Sequence, residues 1–243
     1  MNVCILGSEG FIGSNLYLSL TDDKRAKEIF KITSSSSIDD LSKAINDSDV
    51  IVHLAGVNRS DNESDFFEVN VNFTKIVVEK FCNSKKAKKL IFSSSKHAGR
   101  NDAYGKTKID AEKILEKANK NSDKEISILR LPGIFGKNCK PNYNSVVATF
   151  CHRVANDLDL DIHDPDKEIE IAYIDDLIKL INYYIFDGGR EKELTPIYSI
   201  KLKDLANDIT VIANKDNFIP DLNNDFLKKL HATFLYYKKP EDI

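Results

Sequence analysis

Apolar segments of two kinds alternate along the first half of the chain. Short continuous or β-branched segments predict strands, and segments with apolar residues three or four positions apart predict helices. The predicted strands are Asn2–Leu6, Glu28–Thr33, Val50–Leu54, Leu90–Ser93 and Ile126–Leu131. The predicted helices are Phe11–Leu20, Ile38–Ile45, Asp65–Asn83 with Ser64 as N-cap, and Ala103–Asn119. This alternation is typical of a Rossmann-type, doubly wound parallel sheet in the α/β class.

The pattern becomes less regular after Leu131. Residues Pro132–Ser145 are rich in Pro, Gly, Asn and Lys, which predicts a functional loop. Shorter elements follow: helices at Ser145–Ala155, Ile174–Ile185, Lys203–Ala213 and Asn223–Tyr237, and strands at Ile169–Ala172 and Ile197–Ile200. We therefore expect one domain over residues 1–243. Residues 1–131 would form its nucleotide-binding core, and 132–243 a small C-terminal substrate lobe plus returning core elements.

Composition excludes several classes of function. The 243 residues are 42% hydrophobic and 30% charged, with a net charge of −3, so a broadly basic nucleic-acid surface is not expected. No segment reaches the roughly 18 apolar residues of a membrane span, and Val3–Leu6 is too short for a signal sequence. Four cysteines without a CxxC pair suit a reducing, cytoplasmic location. The histidines have no metal-ligand spacing with them, so no metal site is expected.

A glycine-rich turn follows the first predicted strand. Gly7, Gly10 and Gly13 have GxxGxxG spacing and lead into the helix through Phe11 and Ile12. Such glycines allow a tight turn, so that a pyrophosphate can approach the unpaired N–H groups of the helix N-terminus. The position at the first strand-to-helix turn favours a dinucleotide site. A turn that needs glycine only for packing is the alternative.

The end of the second strand bears on which dinucleotide binds. NAD sites usually place a carboxylate there to bind the ribose 2′-hydroxyl. Here four serines, Ser34–Ser37, follow the strand, Lys31 is close by, and the first acid is Asp39. Hydroxyls suit a 2′-phosphate better than a carboxylate would, so we predict NADP(H) bound through Ser34 and Ser35. NAD remains the alternative.

A candidate catalytic set lies on the fourth strand and the helix after it. Tyr104 and Lys108 form a YxxxK at the start of that helix, and i, i+4 spacing places both on one face. Free tyrosine titrates at about 10, and a neighbouring lysine charge, helped by the positive end of the nicotinamide, is expected to lower that pKa. Ser93–Ser95 lie at the carboxyl end of a strand, where one hydroxyl could stabilise a developing alkoxide.

These residues together resemble the extended short-chain dehydrogenase/reductase superfamily. The resemblance is carried by Gly7–Gly13, His53–Gly56, Asn70–Thr74, Phe92–Ser95 and Tyr104–Lys108. It implies that the third serine, Ser95, acts with Tyr104 and Lys108 in catalysis. It also implies that Leu54, Ala55 and Gly56 lie against the cofactor.

A closer resemblance is to bacterial capsular polysaccharide enzymes of the CapF type. It rests on His53–Arg59, Leu131–Ser145 with its Pro141–Ser145 segment (PNYNS), and Tyr173–Asp176. It implies reduction of the C4 keto group of a UDP-linked 2-acetamido-2,6-dideoxy sugar. Arg59 and Lys137 are candidates for the diphosphate, with ordinary exposed charge as the alternative. Asn142, Tyr143 and Asn144 are candidates for substrate contacts, since a loop at the carboxyl end of such a sheet normally faces the crevice.

Two departures from that pattern stand out. Gly133 occupies the position of a family asparagine that helps to hold the sugar nucleotide, so substrate affinity is expected to differ. Family members continue into a C-terminal cupin domain that catalyses a separate C3 epimerisation, and this chain stops near Pro240. The expectation is therefore a truncated chain, a separate cupin partner or no need for an epimerase.

Three functions stay open at this stage. The leading hypothesis is an NADPH-dependent nucleotide-sugar ketoreductase, and the second is a C4 epimerase with tightly bound NAD. The third, a nucleotide-sensing or scaffold protein, follows because fold does not fix function. A 4,6-dehydratase is disfavoured, because Lys96 and His97 follow Ser95 where an acidic pair would be needed. The family resemblance also implies a homodimer through the YxxxK helix and its predecessor.

Overall fold

The computed structural model describes residues 1–188, 192–214, 218–221 and 223–238. Contacts between residues divide the chain into two compact units. The first unit comprises Met1–Leu131 and Ile178–Glu193, and the second comprises Pro132–Leu177 and Leu194–Ile243. No helix among the described residues is both long and apolar enough to cross a membrane.

A five-stranded parallel sheet forms the centre of the first unit. Its strands lie in the order β2-β1-β3-β4-β5. They are β1 Asn2–Leu6, β2 Glu28–Ile32, β3 Val50–His53, β4 Lys89–Ser95 and β5 Glu125–Leu131. The order reverses beside β1, and in open α/β sheets ligands bind at the carboxyl ends of strands at such a switch point. The predicted doubly wound α/β fold is confirmed.

Helices pack on this sheet through the apolar faces that the sequence predicts. In the first unit α1 spans Phe11–Thr21, α2 Ile38–Asp47, α3 Glu63–Phe67, α4 Phe73–Asn83 and α5 Ala103–Lys120. One buried cluster joins Cys4, Leu6 and Leu90 of the strands to Leu41 of α2 and Phe81 of α4. The continuous apolar strands are buried because helices cover the sheet.

The predicted long helix over Asp65–Asn83 is interrupted and starts earlier. A π-helical turn, Glu68–Asn72, separates α3 from α4, and Asn62 rather than Ser64 is the N-cap. The Asn62 side chain accepts a hydrogen bond from the Ser64 amide at 3.3 Å. Isolated π turns inside helices are frequently found at functional sites. This one contains the buried Asn70.

The second unit contains a three-stranded sheet, in the order β6-β7-β8. Its strands are β6 Gly133–Phe135, β7 Glu168–Tyr173 and β8 Tyr198–Lys201. Strand β6 corrects the prediction of an uninterrupted loop over Pro132–Ser145. With three residues it is too short to show alternation, and parallel pairing with β7 defines it. The remaining helices are α6 Val146–Ala155, α7 Ile174–Phe186, α8 Leu202–Asn214 and α9 Asp225–Tyr237.

The serine run after β2 has a local structural role at two of its positions. Ser37 is the N-cap of α2, and its hydroxyl accepts a hydrogen bond from the Asp40 amide at 3.1 Å. The Asp40 carboxylate accepts in return from the Ser37 amide at 3.0 Å, which completes a capping box. The Ser36 hydroxyl accepts from the Thr33 amide at 3.0 Å. Ser34 and Ser35 are exposed beside them.

Ser37→Ala should therefore lower the free energy of unfolding by about 1 kcal/mol, because the first turn of α2 loses its cap. Ser34→Ala is the matched control, and we expect it to leave stability unchanged. Urea denaturation followed by circular dichroism measures both. Equal losses in the two variants would contradict the assignment of capping to Ser37.

Candidate active site

The glycine-rich turn links β1 to α1 at the switch point of the sheet. The Gly7 amide donates to the Ile32 carbonyl at 2.8 Å, and Gly7 has a φ of 83°. A Cβ on Gly7 would lie 2.8 Å from the Ala55 amide nitrogen, and one on Gly13 would lie 2.1 Å from the Gly7 carbonyl oxygen. Both glycines are thus required by close backbone packing.

Gly10 differs from its two neighbours. It is the N-cap of α1 with a φ of −69°, and a Cβ there would lie 3.3 Å from the Gly7 oxygen, without a severe clash. No side chain caps the first turn of α1, where Phe11, Ile12 and Gly13 begin the helix. An open helix start with a small residue at its N-cap fits a pyrophosphate. A dinucleotide therefore fits this turn.

Two other predicted cofactor segments belong to the same unit. Exposed Ser34 and Ser35 follow β2, and the Ser35 and Thr33 hydroxyls lie 2.8 Å apart. Lys31 is stacked on the Tyr17 ring, with its ammonium 4.7 Å from the ring centroid. After β3 come Leu54 and Ala55, both half-buried, and Gly56, which is exposed.

The structure brings the three predicted catalytic residues together. Ser95 is the last residue of β4, and its hydroxyl is hydrogen-bonded to the phenol of Tyr104, in the first turn of α5. The Lys108 ammonium lies 5.9 Å from the centroid of the Tyr104 ring. Asp102 starts α5 by accepting a hydrogen bond from the Gly105 amide at 2.6 Å. The cap of this helix therefore fixes where the YxxxK pair begins.

Lys108 has its ammonium group inside the protein. The ammonium donates to the Ser93 carbonyl at 2.9 Å and lies 4.9 Å from the centroid of the Phe92 ring. A Cβ on Gly56 would come within 3.3 Å of it, so glycine there leaves room beside the ammonium. Burial lowers the pKa of Lys108 to about 8, and the Glu112 carboxylate works against that shift.

The direction of the Tyr104 pKa differs from the sequence prediction. Burial raises it above its ordinary value, a hydrogen bond from Ser95 acts against this, and the Asp102 charge raises it further. The lowered pKa predicted from Lys108 is therefore wrong for the protein by itself. The ammonium is directed at the Ser93 carbonyl, and burial of the phenol is the larger effect. The phenol holds its proton at neutral pH.

Asn70, in the π turn before α4, is hydrogen-bonded to two other segments of the first unit. Its amide nitrogen donates to the Val57 carbonyl at 2.8 Å and to the Thr107 hydroxyl at 3.2 Å. Its oxygen accepts from the Val57 amide at 2.9 Å. Asn70 thus ties the segment after β3 to α5. The π turn that contains it could not be predicted from apolar periodicity.

His53 lies beneath the same site and is uncharged. Burial, together with the Lys108 charge, lowers its pKa to about 3. Its ring is in edge contact with Phe73 and Phe92, and Nε2 lies 3.1 Å from the Thr74 hydroxyl. Among the described residues, no three His, Cys, Asp or Glu side chains converge as metal ligands would.

The predicted substrate residues are divided between the units. Arg59 is exposed in the first unit, in the segment between β3 and α3. Lys137 lies in the second unit, with its ammonium 3.7 Å from the Asp175 carboxylate. Asn142, Tyr143 and Asn144 are also in the second unit and exposed, directly before α6. Asn142 has a φ of 55°, and its amide donates to Thr149 at 2.9 Å.

Gly133 is an exposed residue of β6. A Cβ there would lie 3.3 Å from the Glu170 carbonyl oxygen and from an Ile171 methyl group. The position would thus accept a larger residue only tightly. The backbone does not require glycine here by a positive φ.

Comparison with known families agrees with this geometry. Residues 3–195 match the model of the family described as the NAD dependent epimerase/dehydratase family. The chain belongs to this family. Family membership supports a nicotinamide dinucleotide as the cofactor. Suitable groups for one are present in the glycine-rich turn, at the uncapped start of α1 and in the set of Ser95, Tyr104 and Lys108.

Two known proteins are similar to this chain over its whole length. A UDP-2-acetamido-2,6-beta-L-arabino-hexul-4-ose reductase of Pseudomonas aeruginosa is 32% identical over 248 residues, covering 100% of this chain and 66% of that protein. The crystal structure of the capsular polysaccharide assembling protein CapF from Staphylococcus aureus has a TM-score of 0.88 at 30% identity. It covers 100% of this chain and 66% of CapF. The chain thus spans slightly less than two thirds of each.

A second solved structure shows how widely the fold is shared. The UDP-glucuronic acid 4-epimerase from Bacillus cereus, in complex with NAD, has a TM-score of 0.81 at 20% identity. It covers 98% of this chain and 100% of that one. At this identity the likeness concerns the fold.

The two glycines of the first turn give a test of what each does. Gly13→Ala should lower the free energy of unfolding by about 1–3 kcal/mol, because its methyl group would overlap the Gly7 carbonyl. Gly10→Ala should cost less stability than Gly13→Ala, because its Cβ would lie 3.3 Å rather than 2.1 Å from the Gly7 oxygen. It should weaken NADPH binding, because we expect its methyl group to crowd the predicted pyrophosphate site. Urea denaturation and NADPH fluorescence titration measure the two effects. Undiminished NADPH affinity in Gly10→Ala would contradict the predicted pyrophosphate site.

Proposed function

We propose that this protein reduces the C4 keto group of a UDP-2-acetamido-2,6-dideoxy-hexos-4-ulose with NADPH, in the synthesis of a capsule or surface polysaccharide precursor. The observation that carries the proposal is the convergence of three side chains: Tyr104 is hydrogen-bonded to Ser95 and lies beside Lys108. The substrate class is taken from the Pseudomonas aeruginosa reductase, at 32% identity.

Reduction of a ketone needs an acid beside the carbonyl oxygen. A ketone that accepts hydride becomes an alkoxide, a stronger base than phenolate, and needs a proton from a neighbouring acid. Because burial raises the Tyr104 pKa, the phenol is present in its acidic form at neutral pH. Oxidation of an alcohol, the first half of epimerisation, needs phenolate instead. The protonated phenol is the form that the proposed reduction uses, and the activity test below distinguishes the reductase from the epimerase.

Each of the three side chains has a role in this reaction. Bound NADPH would supply the hydride. Ser95 orients the carbonyl oxygen by donating a hydrogen bond, and Tyr104 Oη delivers the proton to that oxygen. Lys108 places a positive charge near the phenol and stabilises the phenolate that proton transfer leaves. These roles follow from hydroxyl, phenol and ammonium groups on adjoining parts of β4 and α5.

For the substrate we propose contacts from Arg59, Lys137, Asn142, Tyr143 and Asn144. Charged and amide donors suit a diphosphate and a pyrimidine or an acetamido group. The Asp175 carboxylate lies 3.7 Å from the Lys137 ammonium and reduces the positive charge that Lys137 could offer to a diphosphate. The homodimer through α4 and α5, the separate cupin epimerase and the cytoplasmic location stay predictions.

The activity test uses purified protein, the UDP-4-keto sugar and NADPH, with absorbance at 340 nm. We expect oxidation of NADPH and a Tyr104→Phe variant that is slower by about 10²–10⁴-fold, because the proton donor is lost. Tyr236→Phe, which alters an exposed tyrosine of α9, is the matched control and should retain activity.

Three outcomes would contradict the proposal in different ways. A folded protein that binds NADPH but never oxidises it would exclude the reductase. If the protein carries tightly bound NAD and isomerises a UDP-sugar without added reductant, the epimerase hypothesis is established instead. Full biological activity of Tyr104→Phe would favour the sensor or scaffold hypothesis.

We also propose NADP(H) over NAD(H), with Ser34 and Ser35 at the ribose. Both are exposed, and neither carries the negative charge that would repel a 2′-phosphate. Ser35→Asp should raise the ratio of NADH to NADPH catalytic efficiency at least tenfold, a difference of about 1.4 kcal/mol. Ser35→Asn, similar in size but uncharged, separates charge from shape and should change the ratio little. An unchanged ratio in Ser35→Asp would place the ribose elsewhere.

A further inference from the structure

Glu112 is a buried carboxylate that the proposed reaction does not use. It lies on α5, one turn after Lys108 and two turns after Tyr104, and its side chain is 2% exposed. Residues spaced by four lie close together along one face of a helix. A buried charge is costly unless it is paired and hydrogen-bonded, so its partners indicate why it is there.

The partners of Glu112 come from the two neighbouring strands. The Ser94 hydroxyl donates to Oε1 in a short hydrogen bond. Arg130 of β5 donates to the same carboxylate from Nε at 3.0 Å and from Nη2 at 2.6 Å. Ser94 and Arg130 lie opposite each other in the register of β4 and β5. The carboxylate thus connects α5 to both strands at a single level of the sheet.

That level coincides with the proposed catalytic contacts. Ser94 is flanked by Ser93, whose carbonyl accepts from Lys108, and by Ser95, which is hydrogen-bonded to Tyr104. All three serines of β4 therefore contact the same face of α5. Along β4, the Ser94–Glu112 contact lies between the Ser93–Lys108 and Ser95–Tyr104 contacts. A change in the Ser94–Glu112 distance is therefore expected to change the spacing of α5 and β4 at the site.

The charge of Glu112 also acts on Lys108. Burial lowers the Lys108 pKa to about 8, and Glu112 raises it. Other groups around Lys108 do not replace this effect. On β3, His53 is neutral, and on α5 Tyr104 is protonated. The π turn presents the Asn70 amide, β4 presents serines, and Arg130 on β5 is paired with Glu112.

We propose that Glu112 is a positioning residue of the ketoreductase: its carboxylate holds α5 against β4 at Ser94 and keeps the positive charge on Lys108. This inference rests on the proposed function for its catalytic consequence. Its electrostatic part concerns the protein alone and can be tested without a substrate.

The direct test is an NMR titration of protein labelled with ¹³Cε-lysine. Lys108 titrates below the exposed lysines, and its signal is identified by its loss in Lys108→Met. Glu112→Gln keeps the size of the side chain and one acceptor oxygen, removes the charge, and replaces the other acceptor oxygen by an NH2 donor. We expect the Lys108 midpoint to fall by about 1 pH unit. Glu116→Gln, an exposed carboxylate one turn further along α5, is the matched control and should not shift it.

Two further variants separate charge from geometry. Arg130→Gln removes the half-exposed cation that is paired with Glu112. The Lys108 midpoint should rise, because the Glu112 charge is no longer compensated by Arg130. It provides the charge test even where Glu112→Gln does not fold. Ser94→Ala keeps the carboxylate but removes its bond to β4, so kcat should fall while the Lys108 midpoint stays unchanged.

The pH dependence of the reductase should follow the titration. Because Tyr104 titrates above Lys108, loss of kcat/KM at high pH reports loss of charge on Lys108. In Glu112→Gln that loss should begin about 1 pH unit lower. At pH 8 the charged fraction of Lys108 would fall from about one half to about one tenth, a roughly fivefold lower rate.

The outcomes distinguish the two proposals. An unshifted Lys108 midpoint in both Glu112→Gln and Arg130→Gln would overturn the electrostatic role. Wild-type kcat in Ser94→Ala would overturn the geometric one. If the Lys108 midpoint shifts in the variants but the wild-type protein reduces no ketosugar, the electrostatic role of Glu112 stands and the proposed function is refuted.

Discussion

A positive charge inside the first unit determines the arrangement around it. The Lys108 ammonium lies between the ring of Phe92, the carbonyl of Ser93 and the open space beside Gly56. Burial alone disfavours that charge, as the pKa of about 8 shows. A carbonyl acceptor on β4, a carboxylate on α5 and a neutral histidine on β3 are the features that allow it to persist.

Most elements of the first unit could be predicted from the sequence, because parallel strands and amphipathic helices have strong periodic patterns. β1 agrees with its predicted bounds, and α2 buries Leu41, Ala44 and Ile45 as its spacing indicates. Ile38 carries the same apolar signal and is 52% exposed. It stands in the first turn of α2, where the apolar stripe no longer faces the sheet.

What could not be predicted depends on contacts between segments distant in the chain. The π turn is stabilised by Asn70, whose partners Val57 and Thr107 lie on other elements. Strand β6 exists because β7 pairs with it. The convergence of Ser95, Tyr104 and Lys108 follows from motif order, but the raised pKa of Tyr104 depends on burial, which no motif encodes. Ser36 and Ser37 have local structural roles. The sequence could not separate them from Ser34 and Ser35, because helix capping and cofactor recognition use the same residue type.

The spacing of Tyr104, Lys108 and Glu112 on α5 has a consequence for motion. A helix held by its own backbone hydrogen bonds moves as one body, so thermal displacement of α5 carries the proton donor, the cation and the counter-charge together. Their mutual separations then vary little. The distance that can still vary is the one between α5 and β4, which are joined by the contacts of Ser93, Ser94 and Ser95 with α5. Motion at this site is then mainly a change in the distance between α5 and β4.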